Sequence, residues 1–119
     1  MIESTPASAR RDSIAVVNEY FERMRARDPS MVELFHDNAC LVGLGKVMQG
    51  KTEILEFYRH IIETAGPTPQ IIGEPLTAGP RIAVEILIEL ASGGTVHAID
   101  LFEIEDGRIR SLSYFLATH

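Results

Sequence analysis

The chain has 119 residues, 45% of them apolar and 24% charged, with a formal net charge of −6 at neutral pH. That is enough apolar material for one core and one domain, residues 1–119, and the acidic balance excludes the usual basic footprint of a nucleic-acid binder. Cys40 is the sole cysteine, the start Met1 to Asp12 lacks a secretory apolar stretch, and no run is long enough to cross a bilayer, so a cytoplasmic protein without membrane contact is expected.

In chain order, a first helix is expected from about Ser8 to Arg27. Ile14, Val17, Tyr20, Phe21 and Met24 fall on it at three- and four-residue spacing, as one buried stripe. Its basic residues, Arg10-Arg11 and the alternating Arg23, Arg25 and Arg27, read as a solvated face. Asp28-Pro29 supplies an N-cap and a proline at the first helical position, opening a short second helix that carries Met31, Val32, Leu34 and Phe35. A strand follows near Ala39 to Leu44, with a short extended piece at Lys46 to Gln49. Gly50 and Glu53 open a third helix, which buries Ile54, Leu55, Phe57, Tyr58, Ile61 and Ile62 and ends at Gly66-Pro67.

The remainder reads as strand. Pro69 to Thr77 is broken by Pro75, which predicts an edge strand or a bulge. Gly79-Pro80 turns into Arg81 to Leu90, and Ser92-Gly93-Gly94 turns into Thr95 to Glu105. Asp106-Gly107 then makes a tight hairpin into Arg108 to Thr118. The fold class is therefore α+β: a curved antiparallel sheet with three helices over its concave face.

Asp100 breaks the pattern. Alternate residues of a strand share a face, so Val96, Ala98, Asp100, Phe102 and Ile104 form one row with a single carboxyl in its middle. A lone buried carboxylate is costly, and such a group stays protonated or finds a partner. A neutral acid in an apolar pocket can donate to a substrate oxygen or move a proton. The structural alternative is an Asp bonded to nearby backbone or to a buried Tyr.

The segments Ala15-Val-Val-Asn-Glu-Tyr20, Leu34-Phe-His-Asp-Asn-Ala39, Phe57-Tyr58 and Ile99-Asp100-Leu-Phe102 with Asp106-Gly107, together with the element order, resemble the NTF2-like superfamily, and within it the ketosteroid isomerase and SnoaL-like branch. The resemblance runs from about Ala15 to Phe115 and implies the cone-shaped NTF2-like fold. It implies that Tyr20 donates to a substrate oxygen, that Asp100 is the acid kept protonated beside it, and that Tyr58 bonds to the first tyrosine. Such pKa behaviour is a known property of that enzyme type. Tyr20 and Asp100 are thus the candidate catalytic residues, and Tyr58, Phe102 and Gly43 the candidate substrate contacts. The family's usual general base falls at Gly43, and no acidic residue lies between Asp37 and Glu53. The glycines of Leu41-Val-Gly-Leu-Gly45 then either leave room for a ligand or permit a bulge.

None of His36, His60, His97 and His119 has metal-ligand spacing with another ligand, and no phosphate-cradling glycine loop is present, so no metal or cofactor is expected. His36, or Glu85 if the strand register were reversed, is the candidate replacement for the missing base. Tyr20 and Asp100 bonded to each other, tying helix to sheet, is the structural alternative. Three functions remain open. One is an enzyme moving a proton on an apolar carbonyl compound, by isomerisation, cyclisation or dehydration. Another is a non-catalytic binder of a steroid- or polyketide-like ligand. The last is a dimerisation module with a filled interior. A homodimer through Ala83, Leu87, Ile99 and Leu101 is compatible with all three.

Overall fold

The computed structural model describes residues 6–117. Helix α1 spans Pro6–Arg25 and is followed by a 3₁₀ helix, Pro29–Leu34, then strands β1 (Phe35–Gly43) and β2 (Lys46–Gln49). Helix α2 (Lys51–Thr64) leads into β3 (Thr68–Ala78), β4 (Arg81–Glu89), β5 (Thr95–Glu105) and β6 (Arg108–Leu116). The six strands form one sheet in the order β2-β1-β6-β5-β4-β3. The expected α+β architecture is present, with two refinements.

The first refinement is in the sheet. It is antiparallel throughout except where β6 returns beside β1 and runs parallel to it. A strand that comes back after a long excursion need not reverse direction as hairpin neighbours must. The second is the short helix after Asp28, which is 3₁₀ rather than α. Asp28 caps it as expected, its carboxylate accepting from the Ser30 amide at 2.9 Å. Strand β1 also begins four residues earlier than the sequence suggested, at Phe35.

Local chemistry explains the turns. Helix α1 closes with Arg27 in the left-handed region, φ 56°, where the Asp28 amide donates to the Arg23 carbonyl. The N-terminus of α2 is held by Glu53, whose carboxylate accepts from the Gln49 amide at 2.9 Å. Asp106 and Gly107 both take positive φ, the geometry of a two-residue hairpin turn. Pro75 lies on β3, an edge strand, and the β3–β4 register slips between Ile72 and Leu76. Further slips occur in β1 between Phe35 and Cys40 and in the β5–β6 pair between Glu103 and Ile104. Bulges of this kind bend strands, which lets the sheet curve.

Both helices lie against one face of the sheet, α1 on β3 and β6 and α2 on β1 and β2. The core sits between them and contains Val17, Phe21, Met31, Phe35, Leu41, Ile54, Ile82, Phe102 and Leu112. The opposite sheet face stays open, with Leu87, Ile99 and Phe115 39%, 46% and 56% exposed. No helix among the described residues is long and apolar enough to cross a membrane.

Candidate active site

The alternation read from β5 holds: Ala98, Asp100, Phe102 and Ile104 are buried, while Ile99 and Glu105 face out. Asp100 is 4% exposed and, among the described residues, is the one buried side chain of a charged type. Among the described residues no group hydrogen-bonds to its carboxyl. Burial alone pushes its pKa up from the ordinary carboxylate value to about 7.

The carboxyl faces a half-open cavity of about 210 Å³ bordered by α1, α2 and the inner face of β4, β5 and β6. Met24, Phe57, Ile61, Ile86, Ile88 and Val96 make its walls apolar. Among the described residues, the only other polar side chains on its lining are the phenols of Tyr20, Tyr58 and Tyr114. Tyr20 reaches it from the buried stripe of α1 and Tyr58 from that of α2, both almost fully buried.

The Tyr20 and Tyr58 hydroxyls lie 2.6 Å apart, one donating to the other. A hydroxyl has one proton, so the pair keeps one O–H for a third acceptor. Burial raises both phenol pKa values well above normal. The nearby Asp100 charge raises Tyr20 further, while its bond to Tyr58 acts the other way. Both are neutral donors at physiological pH. The Tyr58 partner implied by the family resemblance is thus in place, and the alternative Tyr20–Asp100 tie is not formed.

Two candidate substrate contacts stand elsewhere. Phe102 does not reach the cavity: its ring packs edge-on against Tyr20 and Phe21, with centroids 5.3 and 5.7 Å away. It supports Tyr20 from beneath. Gly43 also does not line the cavity. A Cβ built on it would stand 2.5 Å from the Tyr114 ring, so its bare backbone is the seat on which that ring rests. The Gly43 backbone has ordinary φ, so the constraint is space and not strain.

Neither proposed replacement base enters the cavity. His36 meets the Glu105 carbonyl through Nε2 at 2.6 Å. Glu85 lies on the outer face of β4, its carboxylate 2.6 Å from His97 Nε2. The apolar row Ile82, Val84 and Ile86 fixes the β4 register and turns Glu85 outward. His60 is exposed on α2, and His119 lies outside the described residues. No cluster of three or more His, Cys, Asp or Glu among the described residues could hold a metal ion.

Tyr114 is the site residue the sequence did not yield. It is the register partner of Asp100 across β5–β6, and its ring stacks on Phe57 with centroids 6.2 Å apart and planes at 29°. Counting back from the Asp106-Gly107 turn in regular register would set Ser113 opposite Asp100. The slip at Glu103/Ile104 shifts the pairing by one residue and brings Tyr114 there instead.

The comparisons agree with this geometry. A model of the SnoaL-like domain matches residues 17–112. The chain belongs to this family. No curated protein matches the chain. Among solved structures, the SnoaL-like chain is similar to a candidate polyketide cyclase from Sinorhizobium meliloti, with 25% identity and a TM-score of 0.76 over 85% of this chain and 94% of that one. It shares its fold with a candidate ketosteroid isomerase from Kribbella flavida, at 16% identity and a TM-score of 0.81, covering 92% of this chain and 80% of that one. An NTF2-like protein of unknown function from Mesorhizobium loti shares it too, at 18% identity and a TM-score of 0.77 over 91% and 93% of the two chains. The SnoaL-like chain thus has the NTF2-like fold.

Proposed function

We propose that this SnoaL-like protein is an enzyme that moves a proton on an apolar carbonyl compound, by isomerisation, cyclisation or dehydration. One observation carries it: a buried carboxyl with no protein partner, facing an apolar cavity. Leaving such a group unpaired lowers stability, so its retention calls for a ligand that uses it. Asp100 is also the one cavity group among the described residues that titrates near neutrality, where a proton carrier works best.

In this mechanism Asp100 as carboxylate removes a proton from the carbon beside the carbonyl. The C–H electron pair moves into the new C=C bond while the carbonyl π pair moves onto oxygen. The free O–H of the Tyr20–Tyr58 pair donates to that developing oxyanion in a site largely shielded from water. Asp100 then returns the proton, at the same carbon or at another.

The test is proton exchange at the activated carbon of 2-tetralone, a two-ring ketone, followed in heavy water by NMR. The wild type should accelerate exchange; Asp100→Asn should cut the enzymatic rate by about 10² or more, the scale for losing a general base, and Tyr20→Phe by about 10², the scale for losing an oxyanion donor. Full activity in both variants would exclude this mechanism.

The second reading, a non-catalytic binder, draws on the Tyr114 ring over Gly43, which takes the space a side chain would need at the position where the family resemblance puts the general base. It is favoured instead if a phenol binds while exchange runs no faster than in buffer. The open cavity argues against the third reading, an interaction module with a filled interior.

A further inference from the structure

Three features single out Tyr114. Its ring is gripped on two sides, by Phe57 stacked at 6.2 Å and by the bare backbone of Gly43, where even a methyl group would lie 2.5 Å from the ring. It stands beside Asp100 on the inner face of the sheet and lines the cavity. Among the described residues nothing hydrogen-bonds to its hydroxyl, so packing alone holds it. A ring fixed this way is a rigid wall, since moving it means breaking the stack or bending strand β1.

The remaining space is small. The cavity measures about 210 Å³, whereas an apolar cavity of about 150 Å³ accepts one benzene ring and sites for drug-sized ligands begin near 300 Å³. One ring, or two fused rings, fill the space beside Asp100 and against the Tyr114 ring; a four-ring skeleton reaches Asp100 only by extending out through the half-open mouth, past Tyr114.

We propose that Tyr114, seated in the slot formed by Gly43 and Phe57, is the specificity-determining residue that restricts the site to one- and two-ring carbonyl compounds. This rests on the functional reading above, because the ligand's oxygen is what brings it to Asp100 and Tyr20. Tyr114 sets ring number, and Asp100 with the tyrosine pair sets chemistry.

Binding of phenols, which resemble the enolate intermediate, tests this by calorimetry with 2-naphthol (two rings) and estradiol (four). The larger phenol has more apolar surface to bury, so an unrestricted pocket would favour it. The expected order is the opposite, with 2-naphthol at least about tenfold tighter, the scale of a misfit in a fixed apolar pocket. Tyr114→Ala should narrow or reverse that ratio by about tenfold or more. Tyr114→Leu serves if the alanine variant folds poorly, and Tyr114→Phe, which keeps the ring, should retain the wild-type ratio. Gly43→Ala should weaken 2-naphthol binding in the wild type but not in the Tyr114→Ala background, because the added methyl then meets no ring.

Estradiol bound as tightly as 2-naphthol by the wild type, or a ratio unchanged in both Tyr114→Ala and Tyr114→Leu, would overturn the role of Tyr114 and leave the functional reading standing. No binding of either phenol to the wild type would overturn both.

Discussion

Two ends of one strand behave differently. Along the inner row of β5, Ile104 and Phe102 are buried in the core, Phe102 beneath Tyr20 and Phe21, while Asp100, Ala98 and Val96 border a cavity. The pleat is the same and the residues alternate without a break. What differs is the cover. Over Phe102 the rings of α1 close edge-on at 5–6 Å; over Asp100 the helices stand off, and the space is bounded by Tyr20, Tyr58 and the Tyr114 ring. The packed end supplies stability, and the hollow end spends some of it on an unpaired carboxyl.

The contrast can be sharpened by substitution. The largest effect on stability is expected at the packed end: Phe102→Ala should cost about 3–5 kcal/mol in urea denaturation, the usual penalty for emptying a buried aromatic site. It should also loosen Tyr20 and weaken phenol binding. A loss under about 1 kcal/mol would mean that this end is not the solid part of the core. The smallest effect is expected outside the cavity. Glu85 pairs with His97 on the outer sheet face, with side chains 47% and 34% exposed, and exposed pairs contribute about 0–1 kcal/mol. Glu85→Gln should therefore change stability by no more than about 1 kcal/mol and leave 2-tetralone exchange as it is. A large loss of exchange would place a working carboxylate on the wrong face.

Periodicity made much of this legible in advance. The stripe of α1 delivers Tyr20, the alternation of β5 delivers Asp100, and the Asp106-Gly107 turn fixes the last hairpin. Pro75 correctly marked an edge strand with a bulge. What failed to show was whatever depends on an irregular step. The slip at Glu103/Ile104 changes which β6 residue stands beside Asp100, and no composition or spacing rule announces it. Tyr114 was therefore missed, and Gly43 was taken for a substrate contact when it is the seat of a ring. Phe102 failed for another reason. Sharing a face with Asp100 does not mean sharing its cavity, because helix packing decides where the hollow ends.

Stability against pH, compared between wild type and Asp100→Asn, tests the unpaired carboxyl most directly. Folding raises the Asp100 pKa from 3.8 to about 7. Between those values the folded protein holds a proton that the unfolded chain has released, so wild-type stability falls as pH rises through that window. Asn cannot ionise. The variant should match the wild type near pH 4 and gain on it up to neutrality, by at most on the order of 4 kcal/mol above pH 7. A difference that does not vary with pH, or a wild type that gains on the variant as pH rises, would show a carboxylate already satisfied by the protein and contradict the catalytic role given to it.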